Sequence, residues 1–326
     1  MRYLFILLFG LSTSFYGQQF YSKKQPFAHT YSIVARDTVT GDMAVAVQSH
    51  WFSVGSIVTW GKAGVGVVAT QSFVNPSFGP RGLSLLENGL TPELAVKTLL
   101  QLDEGRAVRQ LAILDAEGNV AAFTGEKCID AAGHYIGDNF SVQANLMENS
   151  TVWNAMANAF ENSKGTLAER VLLALEAAEN EGGDIRGKQS AAILVVKGKS
   201  TGNKWEDVLV DLRVDDHNNP LKEMRRLLNV HNAYEFMNKG DVAVEKGNFK
   251  EAKRLYKKAQ ELNPSNLEMQ YWYAITLLNN KEFDEAKSIL KSIFAKNKNW
   301  KKLTPRLIKS GLLQISENEL TKIMLL

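Results

Sequence analysis

Asp215-Asp216-His217 sets three residues able to bind a metal side by side, and Asp184 adds a further carboxylate, so metal-assisted hydrolysis is the first chemistry to weigh. Adjacent residues on a strand point to opposite faces, so the triplet can offer its ligands together only from a loop. No HExxH pair, Cys–His cluster or calcium-loop spacing accompanies it. A turn or ion-pair role is therefore expected, and neither a metal nor another cofactor is expected. Cys128 is the only cysteine, which rules out an internal disulfide and reads as a small buried apolar residue. His50, His134 and His231 stand isolated, and GKAGVG lacks the spacing of a phosphate-binding loop. Gly79-Pro80-Arg81 opens a helix whose free N–H groups could hold a carboxylate, although a plain helix start explains it as well. Asp184, Arg186 and Ser190 occur where GDIRGKQSAA enters a strand, so their polar groups can reach the end of a sheet. Thr30 and Ser32, at the start of an apolar segment, share one face if that segment is a strand.

The elements expected to carry these residues are mostly strands. Residues 31–36 and 43–47 are apolar runs joined by DTVTGD, whose Gly41-Asp42 end reads as a hairpin turn. Residues 56–60 and 65–69 form a second pair around GKAG. A helix over 80–88 ends at Gly89, and Thr91-Pro92-Glu93 opens another with a capping residue, a first-turn proline and an acid. The order then recurs. Residues 110–114 and 120–124 flank DAEGN, 140–146 add a strand, and helices follow over 151–163 and 167–180. Thr166 and Glu169 form a capping box for the second of these helices. Residues 190–196 and 208–214 return to strand. Near-continuous apolar strands such as SAAILVV need cover on both faces. Two stacked sheets, each with helices on its outer side, meet that need. Strands arriving as hairpins argue against a single doubly wound parallel sheet.

After Pro220 the pattern is wholly helical. Residues 233–266 and 267–300 superimpose with a 34-residue period, the length of a tetratricopeptide repeat. In the first copy Gly240, Gly247, Ala252 and Ala259 let two antiparallel helices approach, Tyr256 fills the gap and Pro264 ends the unit. The second copy keeps Ala274, Phe283 and Ala286 but has Lys298 in place of the terminal proline. Residues 301–326 are expected to close the array, because an end repeat must hide its apolar face.

Several segments together point to one family. HTYSIVARDTVTGDMAVAV, WFSVGSIVTWGKAGVGVVATQSFVNPSFGPRGL, LDAEGNVAAFTG, GDIRGKQSAAILVV and DLRVDDH resemble domain-of-unknown-function family 1028 over residues 28–228. That family is similar to the N-terminal nucleophile (Ntn) hydrolases, which implies an α+β fold. The expected form is a four-layer αββα Ntn-hydrolase-like sandwich, followed here by an all-α tetratricopeptide-like module. The resemblance also implies a chemistry, in which a Thr, Ser or Cys exposed by processing attacks an amide. The free α-amine of that residue acts as base, with a pKa of about 7.7–8.0. On this sequence the implied nucleophile is Thr30, in Thr30-Tyr31-Ser32-Ile33-Val34-Ala35, with Ser32 on the same face. Asn145 is implied as an oxyanion donor and Asp184, Arg186 and Ser190 as supporting groups, although Ala144 stands where relatives often carry glycine. While His29 stays attached, the Thr30 nitrogen is an amide and no base. A cut between the two residues is therefore required.

The N-terminus implies where such a protein works. Met1-Arg2, an apolar run over 3–11 and small residues to Gly17 have the form of a secretory signal peptide. The expected organisation is a signal peptide over 1–17, a propeptide or linker over 18–29, the sandwich over 30–228, repeats over 229–300 and capping helices over 301–326. An exported protein, periplasmic or extracellular, follows from it. No apolar run approaches the ~20 residues that span a bilayer. With 38 basic and 35 acidic residues the net charge of +3 excludes a nucleic-acid binder by composition. Two functions compete. One is an exported amidohydrolase acting on a small-molecule or peptide amide, with a protein or peptide partner held by the repeats. The other is a non-catalytic exported binding or scaffold protein. Metal-dependent hydrolysis at Asp215 and His217 trails both.

Overall fold

The structure, a computed structural model, describes residues 27–326. The signal peptide expected over 1–17, and the segment 18–29 apart from its last three residues, lie outside the described residues. In chain order come β1 (Phe27–Ala28), β2 (Thr30–Arg36), β3 (Met43–Ser49), α1 (Gly55–Val58), β4 (Thr59–Lys62), β5 (Gly66–Phe73), α2 (Phe78–Glu87) and α3 (Pro92–Gln101). Next are β6 (Arg109–Asp115), β7 (Val120–Thr124), β8 (Gly133–Gly137), β9 (Phe140–Ala144), α4 (Val152–Asn162), α5 (Leu167–Asn180), β10 (Ser190–Val196) and β11 (Val208–Val214). Helices complete the chain: α6 (Pro220–Glu245), α7 (Phe249–Leu262), α8 (Leu267–Asn279), α9 (Phe283–Lys296), α10 (Lys298–Leu303), α11 (Arg306–Lys309) and α12 (Glu317–Met324). The chain is thus α+β, sheet-rich first and helical afterwards.

The strands pair antiparallel into two sheets, one of six strands in the order β11-β10-β3-β2-β9-β8 and one of five built on β1-β5-β6-β7 with β4 also on β5. Alternation decides which side chains meet. Val34, Val45, Val47, Ala192 and Leu194 of the larger sheet pack against Val67, Ala69, Ala112 and Leu114 of the smaller one. The alternate residues face outwards. Tyr31, Ile33, Ala46, Val142 and Ile193 bury themselves under Met156, Phe160, Leu172 and Leu175 of α4 and α5. On the other side Val68, Leu111 and Ile113 lie under Phe78, Leu83, Ala95 and Leu99 of α2 and α3. Both faces of the central strands are therefore covered, which is why these strands carry so few charges.

Three local features depart from the sequence expectation. The segment expected as a strand over 56–60 begins as α1, and only Thr59 and Trp60 join β4. A Cβ on Gly55 would lie 2.4 Å from that of Ala192, so glycine alone lets this turn press onto the sheet. The Thr59 hydroxyl donates to the Gly55 carbonyl (2.7 Å) and closes the turn. The edge strand β8, partly exposed and glycine-flanked, and the two-residue β1 have no counterpart among the expected elements.

In the helical part α7 and α9 begin at Phe249 and Phe283, one 34-residue period apart. Gly240 allows the contact expected of it, since a Cβ there would lie 3.0 Å from the Tyr256 ring. The end of the array is closed by α10–α12, which contribute Trp300, Leu303, Leu307 and Ile323 to one cluster with Tyr271, Ile275 and Leu290. The tyrosine stacks on Trp300 at 4.7 Å. The expected boundary at 228/229 falls inside α6, a single helix of 26 residues. Its first turns bury Leu221, Met224 and Leu228 in the sandwich, and its later ones bury Ala233, Met237 and Ala243 in the repeats. One rigid rod of ~39 Å thus belongs to both parts.

Candidate active site

β2 is central in the larger sheet, and Thr30, Ser32 and Val34 on it face the smaller sheet. Towards Val34 the layer between the sheets is apolar, but towards Thr30 it turns polar. Ser32, Ser49, Gln71, Gln110, Gln143 and Ser190 all project there from neighbouring strands and are buried. Register lines up Thr30, Ser49 and Ser190 across three adjacent strands. A buried polar group without a partner costs ~1–3 kcal/mol, so these side chains bond one another or the backbone nearby.

The bonds form one network. The Ser32 hydroxyl donates to Gln71 Oε1 (2.6 Å) and accepts from Gln143 Nε2 (2.7 Å). Gln71 Nε2 donates to Gln110 Oε1 (2.6 Å), which also accepts from Asn145 Nδ2 (2.8 Å). The Thr30 carbonyl accepts from the Asn145 backbone N–H (3.1 Å), Asn145 Nδ2 (3.3 Å) and Gln71 Nε2 (3.3 Å). Ser32 is thereby a structural crosslink between the sheets. Its hydroxyl is fully buried, with both neighbours engaged.

Thr30 stands at the end of this network and is itself buried. Its hydroxyl donates to the Ala28 carbonyl (3.0 Å), and Ala28 belongs to β1, paired with Ser72 of β5. The residue between them, His29, is held from two sides. Its Nδ1 lies 2.5 Å from Asn145 Oδ1, and its ring meets Phe73 edge-on at 5.6 Å. Burial pushes the imidazole down to about 4, a shift the Asn145 bond opposes and the Arg186 charge reinforces, so it is neutral at pH 7. Its backbone carbonyl accepts from Ser49 Oγ (2.5 Å) and from Arg186 Nη2 (3.0 Å).

Arg186 reaches that carbonyl because Asp184 orients it. Two bonds join them, Nε to Oδ1 (3.0 Å) and Nη2 to Oδ2 (2.7 Å), with the Asp184 side chain fully buried and the Arg186 side chain 27% exposed. The backbone N–H groups of Arg186 (3.0 Å) and His50 (3.3 Å) complete the shell of Asp184. A bidentate pair of this kind fixes direction as well as charge. Ser190 does something else: its hydroxyl donates to the Trp51 carbonyl and accepts from the Val54 N–H (3.1 Å), which ties down the loop after β3.

Of the six residues singled out by sequence, four gather around residues 29 and 30: Arg186 donates to the His29 carbonyl, Asp184 holds Arg186, and Asn145 bonds the His29 ring and the Thr30 carbonyl, whereas Ser32 bonds Gln71 and Gln143 and Ser190 bonds the loop after β3. His29 and Ser49 were not singled out. Ser49 lies just past the expected end of its strand, and an inward hydroxyl paired in register with Thr30 was the signal available. The glutamines carried a similar signal, as amides inside otherwise apolar strands. Asp215 and Asp216 accept from Ser53 and Gln189, and His217 Nδ1 accepts from the Asn219 N–H, so all three make loop contacts. Among the described residues no three His, Cys, Asp or Glu gather as a metal would require. Gly79 is a packing residue, since a Cβ there would lie 2.2 Å from the Trp60 ring. Cys128 is buried, and that burial raises its thiol pKa.

Two family models match the chain: the family of unknown function DUF1028 over residues 30–224, and a tetratricopeptide repeat over residues 243–304. Among solved structures, the crystal structure of protein SPO2555 from Silicibacter pomeroyi, matched to DUF1028, is 35% identical. The likeness covers 61% of this chain and 84% of that one, with a TM-score of 0.56. None of the curated proteins matches.

Proposed function

The chain belongs to the DUF1028 family, with tetratricopeptide-type repeats after it, and from that premise we propose that it is an exported amide hydrolase of the Ntn type whose nucleophile is Thr30. The observation that carries this reading is the grip of Ser49 and Arg186 on the carbonyl of His29, one bond from the Thr30 nitrogen. Cleavage of the His29–Thr30 bond vacates that position and leaves both donors aimed at it. A substrate carbonyl entering there lies beside the Thr30 hydroxyl, and the new α-amine takes the hydroxyl proton. Attack on the amide carbon gives an oxyanion, which Ser49 and the Asp184-oriented Arg186 receive. The ammonium then protonates the departing amine, and water hydrolyses the Thr30 ester. The sandwich with its two outer helix pairs is in keeping with the Ntn architecture. The repeats supply a protein- or peptide-binding part.

One observation favours the non-catalytic scaffold instead. Residues 27–29 are built into the fold, with β1 in the smaller sheet and Thr30 closed from solvent. Intact mass and N-terminal sequencing of the exported protein separate the two readings. A chain starting at Thr30 that hydrolyses amides, with Thr30→Ala folded but inert, supports catalysis. Amide turnover by a chain whose His29–Thr30 bond is intact overturns the amine-as-base mechanism.

A further inference from the structure

Charge is divided sharply along the chain. Residues 27–228 carry 18 basic and 24 acidic side chains, whereas residues 229–326 carry 17 and 11. Within the helical part the excess is local: from Lys287 to Ser316 there are eight basic residues and no acidic one. Lys291, Lys296, Lys298, Lys302, Arg306 and Lys309 are exposed, and none of them has an ion-pair partner among the described residues. The nearest acids in sequence beyond them are Glu317 and Glu319, and Glu319 faces Lys281 at 3.8 Å. Lys298 and Lys302 share a face of α10 by their i,i+4 spacing. Aliphatic side chains stand exposed among these cations: Ile308 (38%) between Arg306 and Lys309, and Leu312 (48%) just beyond.

We propose that this C-terminal surface docks the protein on an anionic lipid bilayer. Cations without internal partners retain their full attraction for an anionic surface. Interleaved aliphatic side chains can enter the boundary between headgroups and acyl chains. The combination suits a fluid surface, which demands no matching shape. Single-stranded nucleic acid is the poorer fit, because neither aromatic residue of this stretch can stack on bases: Phe294 is buried and Trp300 is turned in against Tyr271. The acid-rich sandwich is repelled by the same surface, and the shared rod α6 holds it away.

The test is flotation of the full-length protein with vesicles of phosphatidylcholine alone, and of phosphatidylcholine mixed with phosphatidylglycerol. Binding is expected only to the mixed vesicles and is lost at high salt. Replacing Lys302→Gln, Arg306→Gln and Lys309→Gln together weakens it about 100-fold, at roughly fivefold per charge. All three side chains are exposed, so an unchanged circular dichroism spectrum and melting temperature certify the fold. Absence of binding to mixed vesicles, equal binding to both kinds, or undiminished binding by the triple variant overturns the proposal. So does salt-sensitive self-association that the triple variant abolishes without vesicles, which would assign the surface to a second copy and its acidic sandwich.

Discussion

The Asp184–Arg186 pair allows a sharp test of how the candidate site is held. Asp184 receives two side-chain bonds from Arg186 and two backbone N–H bonds, and its carboxylate is fully buried. Arg186→Gln removes the two charge-assisted bonds and leaves a buried anion with the backbone donors alone. Charge-assisted bonds contribute about 1.5–3 kcal/mol each, and water entering the partly open space left by Arg186 offsets some of the loss, so a net cost of roughly 2–4 kcal/mol is expected. For a domain of this size that lowers the sandwich's melting temperature by about 5–15 °C. Asp184→Asn alone leaves Arg186 with solvent and the His29 carbonyl and is expected to cost less. The double variant Asp184→Asn/Arg186→Gln removes the buried charge together with its partner. It is expected to be more stable than Arg186→Gln alone by about 1–2 kcal/mol. Thermal unfolding followed by the β-sheet circular dichroism signal measures all four proteins. If the two single costs simply add in the double variant, the carboxylate does not depend on the guanidinium and this account of the site is refuted.

Three further outcomes follow from the same structure. His29 has a folded pKa near 4 and an unfolded one near 6.5, so the unfolded chain binds the extra proton first as pH falls. The stability of the uncut chain is then full above pH ~6.5 and drops by about 3 kcal/mol towards pH ~4, a slope that His29→Gln should flatten in urea titrations at stepped pH. Ser32→Ala strands the amides of Gln71 and Gln143 between the sheets and is expected to cost about 1–3 kcal/mol in denaturant unfolding. If Thr30 is catalytic, its turnover should survive that change. Replacing Asn229 and Val230 by glycine weakens α6 by about 0.3–0.5 kcal/mol each, where the helix passes from one core to the other. Calorimetry should then resolve separate transitions for sandwich and repeats, and an unchanged single transition would mean that α6 does not couple them.

The strands and helices were largely legible because burial on a regular element leaves a period. SAAILVV becomes β10, and the capping box at Thr166 and Glu169 starts α5 as expected. The 34-residue period emerges in the starts of α7 and α9. Legibility failed where no period could form. β1 is two residues long, β8 is an exposed edge, and α1 depends on Gly55 meeting Ala192 from a distant strand. Thr30, Asn145, Asp184 and Arg186 were recognised individually, but nothing in their spacing announced that they gather around residues 29 and 30.

What the sequence determined by itself was therefore the local: the alternation that turns Thr30 and Ser32 to one face, the caps, the repeat length and the family. The tertiary structure decided the rest, because the decisive contacts span very different separations along the chain. Ser32 lies 39 residues from Gln71 and Arg186 lies 157 from His29, and only the stacking of two sheets brings each pair within hydrogen-bonding reach. Two residues on the same strand face thus receive opposite assignments. Ser32 sits where the sheets close over it and becomes a crosslink. Thr30 sits where they end, beside a carbonyl held by Ser49 and Arg186. Side-chain alternation is a property of one strand, whereas burial depth belongs to the assembled layers.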